Sequence, residues 1–255
     1  MATLAGLTAD QIRRLNNLGG GWPDSVLVGD LFSRIVDPSK SSMLFEDWVS
    51  GSFVAIATYF WSSFSSGGGS QFQNTALADA NHQGIVELRS GAAGATYSGY
   101  RLASGVVLGN AVPARCQCIA QVDVLATAGE DYVVRLGLGD TFNGNDHANG
   151  VYFEYNRSVG PNWLLKTASA SSRTTLDTGV PVVAGQFYNL VWDKDDQGQI
   201  KALVDGVEVS GTITTNIPTS VIDANMHISR AAATLNRSLF VDLIAFAADY
   251  TASPR

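Results

Sequence analysis

The segment AGQFYNLVWDKDDQGQIKALVDGVEV, from Ala184 to Val209, leaves few choices of fold. Tyr188, Leu190 and Trp192 alternate with Phe187, Asn189 and Val191, and period-two alternation of aromatic and branched side chains marks a half-buried strand. Asp195-Asp196-Gln197-Gly198 interrupts it, and Ile200, Ala202 and Val204 resume the alternation. Asp205-Gly206 turns the chain again before Val207 and Val209, because glycine accepts the positive φ of a tight turn at little cost. Three short strands and two turns make an antiparallel meander. A meander cannot bury its apolar face alone, so the rest of the chain must supply more sheet.

The sequence from Met43 to Tyr250 has the same character. Strands are predicted at Phe53–Trp61, Gly84–Arg89, Tyr100–Leu108, Ala114–Ala126, Tyr132–Leu138, Val151–Tyr155, Trp163–Thr167, Thr174–Leu176, Met226–Ser229 and Ser238–Asp249, separated by Gly, Asn, Ser or Pro clusters. Ser62 to Gly69 reads as a loop. In Ala114–Ala126, Cys116, Cys118, Ala120, Val122 and Val124 share one face, which places both thiols in a core. An i, i+2 disulfide along a strand is geometrically awkward, so the pair is expected to be free. Leu239–Ala248 is apolar on both faces apart from Asp242, as for a central strand or one covered by another subunit or by the N-terminal arm. Roughly a dozen to fifteen strands without an interior helix call for an all-β fold, a two-sheet antiparallel jelly-roll sandwich.

Residues 1–40 differ. Thr8 and Gln11 fit a capping box, and Leu7, Ile12, Leu15 and Leu18 form a helical stripe ended by Gly19-Gly20-Gly21. A second short helix, carrying Leu31, Phe32 and Ile35, should stop before Pro38. Two such helices cannot bury their apolar faces alone. Residues 1–40 are therefore expected to be an N-terminal helical arm for attachment or oligomerisation, ahead of a sandwich domain spanning 41–255.

Composition excludes several classes of function. A net charge of -7, with no Lys/Arg run, argues against phosphate-backbone binding, so no nucleic acid is expected. Apolar runs fall far short of the roughly eighteen residues of a membrane span. The opening residues lack the pattern of a signal peptide, which implies synthesis in the cytoplasm.

The residues also resemble a family, the concanavalin A-like lectins and glucanases. The likeness rests on Phe45-Glu46-Asp47-Trp48, on Trp192-Asp193 with Gly198 and Leu203-Val204-Asp205-Gly206-Val207, and on the apolar strand Leu239–Ala247. His82-Gln83-Gly84-Ile85-Val86-Glu87-Leu88-Arg89-Ser90-Gly91-Ala92-Ala93 is similar to a segment of lectin-like phage fibre and virion proteins, departing from it at Gln83, Ser90, Ala92 and Ala93.

The glucanases of this family carry a Glu-x-Asp-x-Glu strand, and retaining hydrolysis needs two carboxyls about 5 Å apart. No such triplet occurs here; Glu154 stands alone on its strand, and no catalytic residue is assigned. In the legume lectins one loop holds calcium. Asp140, Asn143, Asn145 and Asp146 have suitable oxygens, although the same residues also build turns. Tyr97, Tyr100, Tyr152 and Trp163 are candidates for stacking on sugar rings, and Phe60, Trp61 and Phe64 for a subunit interface.

The resemblance implies a non-enzymatic bacteriophage virion protein: a decoration, spike or fibre component whose lectin-like domain touches host glycans. It would assemble as a homotrimer, bind other virion proteins through residues 1–40 and need no cofactor. A calcium-dependent lectin module is the alternative, and a polysaccharide hydrolase the third reading.

Overall fold

The computed structural model describes residues 41–46, 61–73, 84–92, 94–109, 111–231 and 234–249. Fifteen strands lie among them, in two antiparallel sheets. In chain order they are β1 (Ser41–Glu46), β2 (Trp61–Ser66), β3 (Ser70–Gln73), β4 (Val86–Arg89), β5 (Thr96–Val106), β6 (Ala114–Val122), β7 (Val133–Gly139) and β8 (Gly150–Asn156). There follow β9 (Asn162–Ser169), β10 (Ser172–Pro181), β11 (Phe187–Lys194), β12 (Ile200–Val204), β13 (Val207–Glu208), β14 (Ile222–Arg230) and β15 (Ser238–Asp249). One sheet runs β13-β12-β11-β6-β15-β4-β3, with β1 also on β15; the other runs β10-β9-β8-β7-β14-β5-β2. The predicted all-β jelly-roll sandwich is the observed fold. The predicted arm at 1–40, with Leu7, Ile12, Leu15, Leu18, Leu31, Phe32 and Ile35, lies outside the described residues, as does most of the strand predicted at Phe53–Trp61.

The meander is β11-β12-β13. Leu190 faces Val204 across β12 and Cys118 across β6, so one register fixes three strands. Its two turns are closed by their acidic residues. The Asp195 carboxylate accepts the amides of Gln197 and Gln199, while Asp205 takes φ 51° ahead of Gly206 at φ 80° and accepts the Asn189 amide. Tyr188, Leu190 and Trp192 point into the core with Cys116 and Cys118, both free thiols. Across the core lie Leu136 and Phe153 of the other sheet, with Trp163, Leu165 and Met226.

The double-faced burial of β15 has two causes. The strand is central, paired with β6 on one edge and with β4 and β1 on the other. A bulge between Val241 and Leu243 then shifts the alternation by one residue. Leu239 and Val241 face the core before it, Ile244, Phe246 and Ala248 after it. Leu243, Ala245 and Ala247 turn to the outer face, where they form a second buried cluster with Val191.

The predicted loop from Ser62 to Gly69 is a correction. Ser62 to Ser66 belong to β2, an edge strand of the seven-stranded sheet. Only one neighbour, β5, covers it, so serines are tolerated on its exposed side while Trp61 anchors it in the core. Gly67-Gly68-Gly69 then carries the chain into the other sheet at β3. A Cβ on Gly69 would stand 2.2 Å from the Tyr97 carbonyl oxygen, so no side chain fits at the crossing.

Trp192 is fully buried at the centre of the sandwich. Trp192→Ala is expected to cost about 3–5 kcal/mol, read as a lower urea midpoint with an unchanged m-value.

Candidate functional site

The outward face of the seven-stranded sheet carries an unusual density of charge. β7, β8 and β9 alternate strictly: Val134, Leu136, Val151, Phe153 and Leu165 enter the core, so Arg135, Tyr152, Glu154 and Lys166 face outward. Arg135 is directly opposite Glu154 in the register, and Lys166, opposite Tyr152, is its diagonal neighbour. Glu154 is 0% exposed and both its oxygens are taken, Oε2 by Arg135 Nε at 2.8 Å and Oε1 by Lys166 Nζ at 2.7 Å.

The face is closed over by the connection between β7 and β8, residues 140–149. Asp146 drops from it into the charge cluster. Its carboxylate meets Arg135 Nε at 3.1 Å, Arg173 Nε of β10 at 2.9 Å and Lys166 Nζ at 3.6 Å, and accepts the Tyr152 hydroxyl at 2.5 Å. Burial works to raise the Asp146 pKa. Arg135, the Tyr152 hydroxyl, Lys166 and Arg173 outweigh it and hold the carboxyl below its ordinary value. Arg135 Nη1 also donates to the carbonyls of Gly144 and Asn145, which fastens the loop to the sheet. His147 lies flat on Gly139, where a Cβ would come within 2.3 Å of the imidazole.

Two histidines far apart in sequence, His147 and His227, meet here with ring centroids 5.5 Å apart. Arg135 can only donate, so His227 Nε2 accepts from it at 3.2 Å, and Nδ1 carries the proton given to Asn225 Oδ1 at 2.8 Å. The Thr141 amide donates to His147 Nδ1, so the proton sits on Nε2, which is buried without a hydrogen-bond partner. Burial first, then Arg135, push the His147 pKa down to about 3. His227 is lowered in the same direction by burial, Arg135 and His147. Both rings are neutral.

Beside the charge cluster is an aromatic shelf. Phe64 of β2 stands 6.1 Å from Tyr97 of β5 and 5.9 Å from Phe142 of the loop, and the Arg101 guanidinium lies 4.6 Å above the Phe142 ring. All four side chains are partly exposed.

The residues named from sequence divide accordingly. Tyr97 is on the shelf. Tyr100 and Trp163 are core residues, 2% and 0% exposed, and are corrected as sugar-stacking candidates: alternation turns both inward. Tyr152 faces outward but is buried under the loop, with its hydroxyl committed to Asp146. Trp61, named for an interface, is also core; Phe60 lies outside the described residues. The four loop oxygens do not converge on a cation. Asp140 accepts the Ala148 amide, the Thr141 hydroxyl and the Asn149 side chain, and Asn143 accepts the Asn145 amide in a turn. Asp146 faces three protein cations. Among the described residues no group of three His, Cys, Asp or Glu side chains is placed to hold a metal. Glu154, expected to stand alone, is the centre of the cluster; Arg135, Lys166 and Arg173 are the partners not expected from sequence. The available signal was one charged residue interrupting each apolar strand: VVRLGLG, VYFEYN and NWLLKTAS.

The family model described as SO2946-like, C-terminal domain, matches residues 81–238, more than half of the chain. The chain belongs to this family. The solved structure of SO2946 from Shewanella oneidensis MR-1, described as a protein of unknown function, superposes with a TM-score of 0.62 at 11% identity, covering 92% of this chain and 98% of that one. A carbohydrate esterase of the Shiga toxin-encoding bacteriophage phi24B gives 0.51 at 16% identity, covering 83% and 98%. The carbohydrate recognition domain of Emp47p gives 0.53 at 12%, covering 82% and 97%. At these identities the likeness is one of fold, the concanavalin A-like jelly roll. A search of curated proteins finds no match.

Two outcomes follow from the cluster. Glu154→Gln leaves Arg135 and Lys166 short of a counter-charge in a dry site and is expected to cost about 3–5 kcal/mol in urea unfolding. The second concerns pH. An imidazole whose pKa is lowered by folding is protonated first in the unfolded chain, so its contribution is complete above its ordinary pKa of 6.5 and is lost as pH falls. Between pH 6.5 and about 4, stability should fall by about 1.4 kcal/mol per pH unit for each buried imidazole. Urea midpoints measured across that range should fall less steeply in His147→Gln, with the contribution of His227 remaining.

Proposed function

We propose that this chain is a non-catalytic, lectin-like display domain: a bacteriophage virion decoration, spike or fibre component that touches host-surface glycans. The observation that carries the non-catalytic reading is Glu154, sealed at 0% exposure between Arg135 and Lys166. A glycosidase needs one carboxyl kept protonated to act as an acid and a second free to act as base or nucleophile. Here Glu154 has both oxygens committed to cations, and Asp146, the other carboxylate in this cluster, is held ionised by the same groups.

Support for glycan contact comes from the shelf of Phe64, Tyr97 and Phe142, partly exposed rings backed by Arg101, which suit stacking on the apolar face of a sugar. The folds of an Emp47p carbohydrate recognition domain and of a phage carbohydrate esterase agree with such a role. Attachment to the particle, and assembly as a trimer, would fall to residues 1–40.

A glycan array should give a chelator-insensitive signal that Tyr97→Ala and Phe64→Ala each reduce at least tenfold. Loss of signal on chelation would favour the calcium lectin, and release of reducing ends from the bound polysaccharide would overturn the non-catalytic reading. Deleting residues 1–40 should lower the oligomeric mass in light scattering; an unchanged mass would remove the arm from assembly.

A further inference from the structure

The end of the sandwich where β7 begins and β8 finishes is built differently from the charged face. Three connections meet there, those between β6 and β7, β8 and β9, and β10 and β11. Leu125, Ala126, Tyr155, Gly160, Pro161 and Val182, with Arg157, line an open bowl of about 360 Å³. The connections are tied to one another and to the sheet ends. Ala126 N donates to the Tyr155 hydroxyl at 3.2 Å, Val182 N to the Pro161 carbonyl at 2.9 Å, and Gly185 N to the Val122 carbonyl at 2.9 Å. The cavity is therefore preformed.

Its surroundings are strongly apolar. Besides Leu125, the large exposed side chains Val124, Val159 and Val183 sit on the same three connections, 43%, 59% and 47% exposed. Half of the large exposed hydrophobics among the described residues thus gather at this one end. The wall offers few polar groups, because the Tyr155 hydroxyl and the Val182 amide are already engaged. That suits a sugar poorly, because its hydroxyls would find few partners on the wall. One charge remains. Arg157, exposed, has no carboxylate within ion-pair distance among the described residues. A hydrocarbon wall with a single unpaired guanidinium matches a ligand with an apolar body and one carboxylate. At about 30 Å³ per water-sized atom, the bowl holds about a dozen non-hydrogen atoms.

We infer that this bowl is a binding site for a compact apolar carboxylate, separate from the charged face and independent of whether that face contacts glycan. Two sources carry this chemistry: a free medium-chain or aromatic acid, and a protein C-terminus ending in an apolar residue.

The test is a titration of the full chain followed by amide chemical shifts, with octanoate, octanamide and acetyl-Gly-Gly-Leu as probes. Saturable shifts at Ala126, Gly160 and Val182 are expected with at least one of the two carboxylates. Octanamide should bind at least fivefold more weakly than octanoate, and Arg157→Gln should remove that preference. Gly160→Leu places a side chain where an added Cβ meets nothing within 4 Å, and should block the bowl without disturbing the fold. Stronger binding of octanoate assigns a free acid, and stronger binding of the peptide assigns a chain terminus. Absence of saturable shifts with both carboxylates, equal binding of octanoate and octanamide, or retained preference in Arg157→Gln would overturn the site.

Discussion

A carboxylate with no access to water sets the terms for half of this molecule. An ionised group in a dry protein environment is tolerated only with charge and hydrogen bonds close at hand. Glu154 obtains them from strands on both sides, Arg135 of β7 and Lys166 of β9. Those contacts exist in only one strand register, because a slip of any one strand by one residue would turn its own charged side chain into the core. The same cations hold Asp146 and with it the loop 140–149, and the loop in turn keeps water from Glu154. Register, loop position and ionisation are thus one coupled arrangement, and removing any member leaves the others wrongly charged.

That arrangement bears on how this fold supports different chemistries. A sheet face furnished with carboxylates can run acid–base catalysis when their environments differ, one protonated and one not. Here both carboxylates are bound by protein cations, and Asp146 is held below its ordinary pKa. The cluster ties three strands and the loop 140–149 together. Beside it lies the aromatic shelf of Phe64, Tyr97 and Phe142.

The architecture was largely legible in the sequence, the site only partly. The meander declared itself because aromatic and branched side chains recur with period two from Phe187 to Trp192, and because Asp195, Gly198, Asp205 and Gly206 carry their own turn chemistry. Ser62 to Ser66 was hidden because an edge strand with one partner needs little hydrophobic content. The parity change in β15 was hidden for another reason: a bulge at Asp242 leaves no mark in a run that is apolar throughout. The site escaped because it is a property of register. Arg135, Glu154, Lys166 and His227 come from four strands, and no local pattern says which lie side by side. Tyr100 and Trp163 illustrate the reverse, aromatic residues near polar loops that strand parity sends inward.

The pairing of β15 also dictates the order in which the molecule can be completed. Its partners β1, β4 and β6 are all made earlier, β1 at Ser41–Glu46 and β15 only at Ser238–Asp249. Contacts this distant in sequence carry a large loop-closure cost and slow folding. During synthesis the eight-stranded sheet stands open along the edge of β6 until β15 emerges, with unpaired backbone groups and apolar side chains exposed to other chains. The central strand of this sandwich is thus its final closure. A truncated product lacking it would hold most of the sequence and still be unable to complete that sheet.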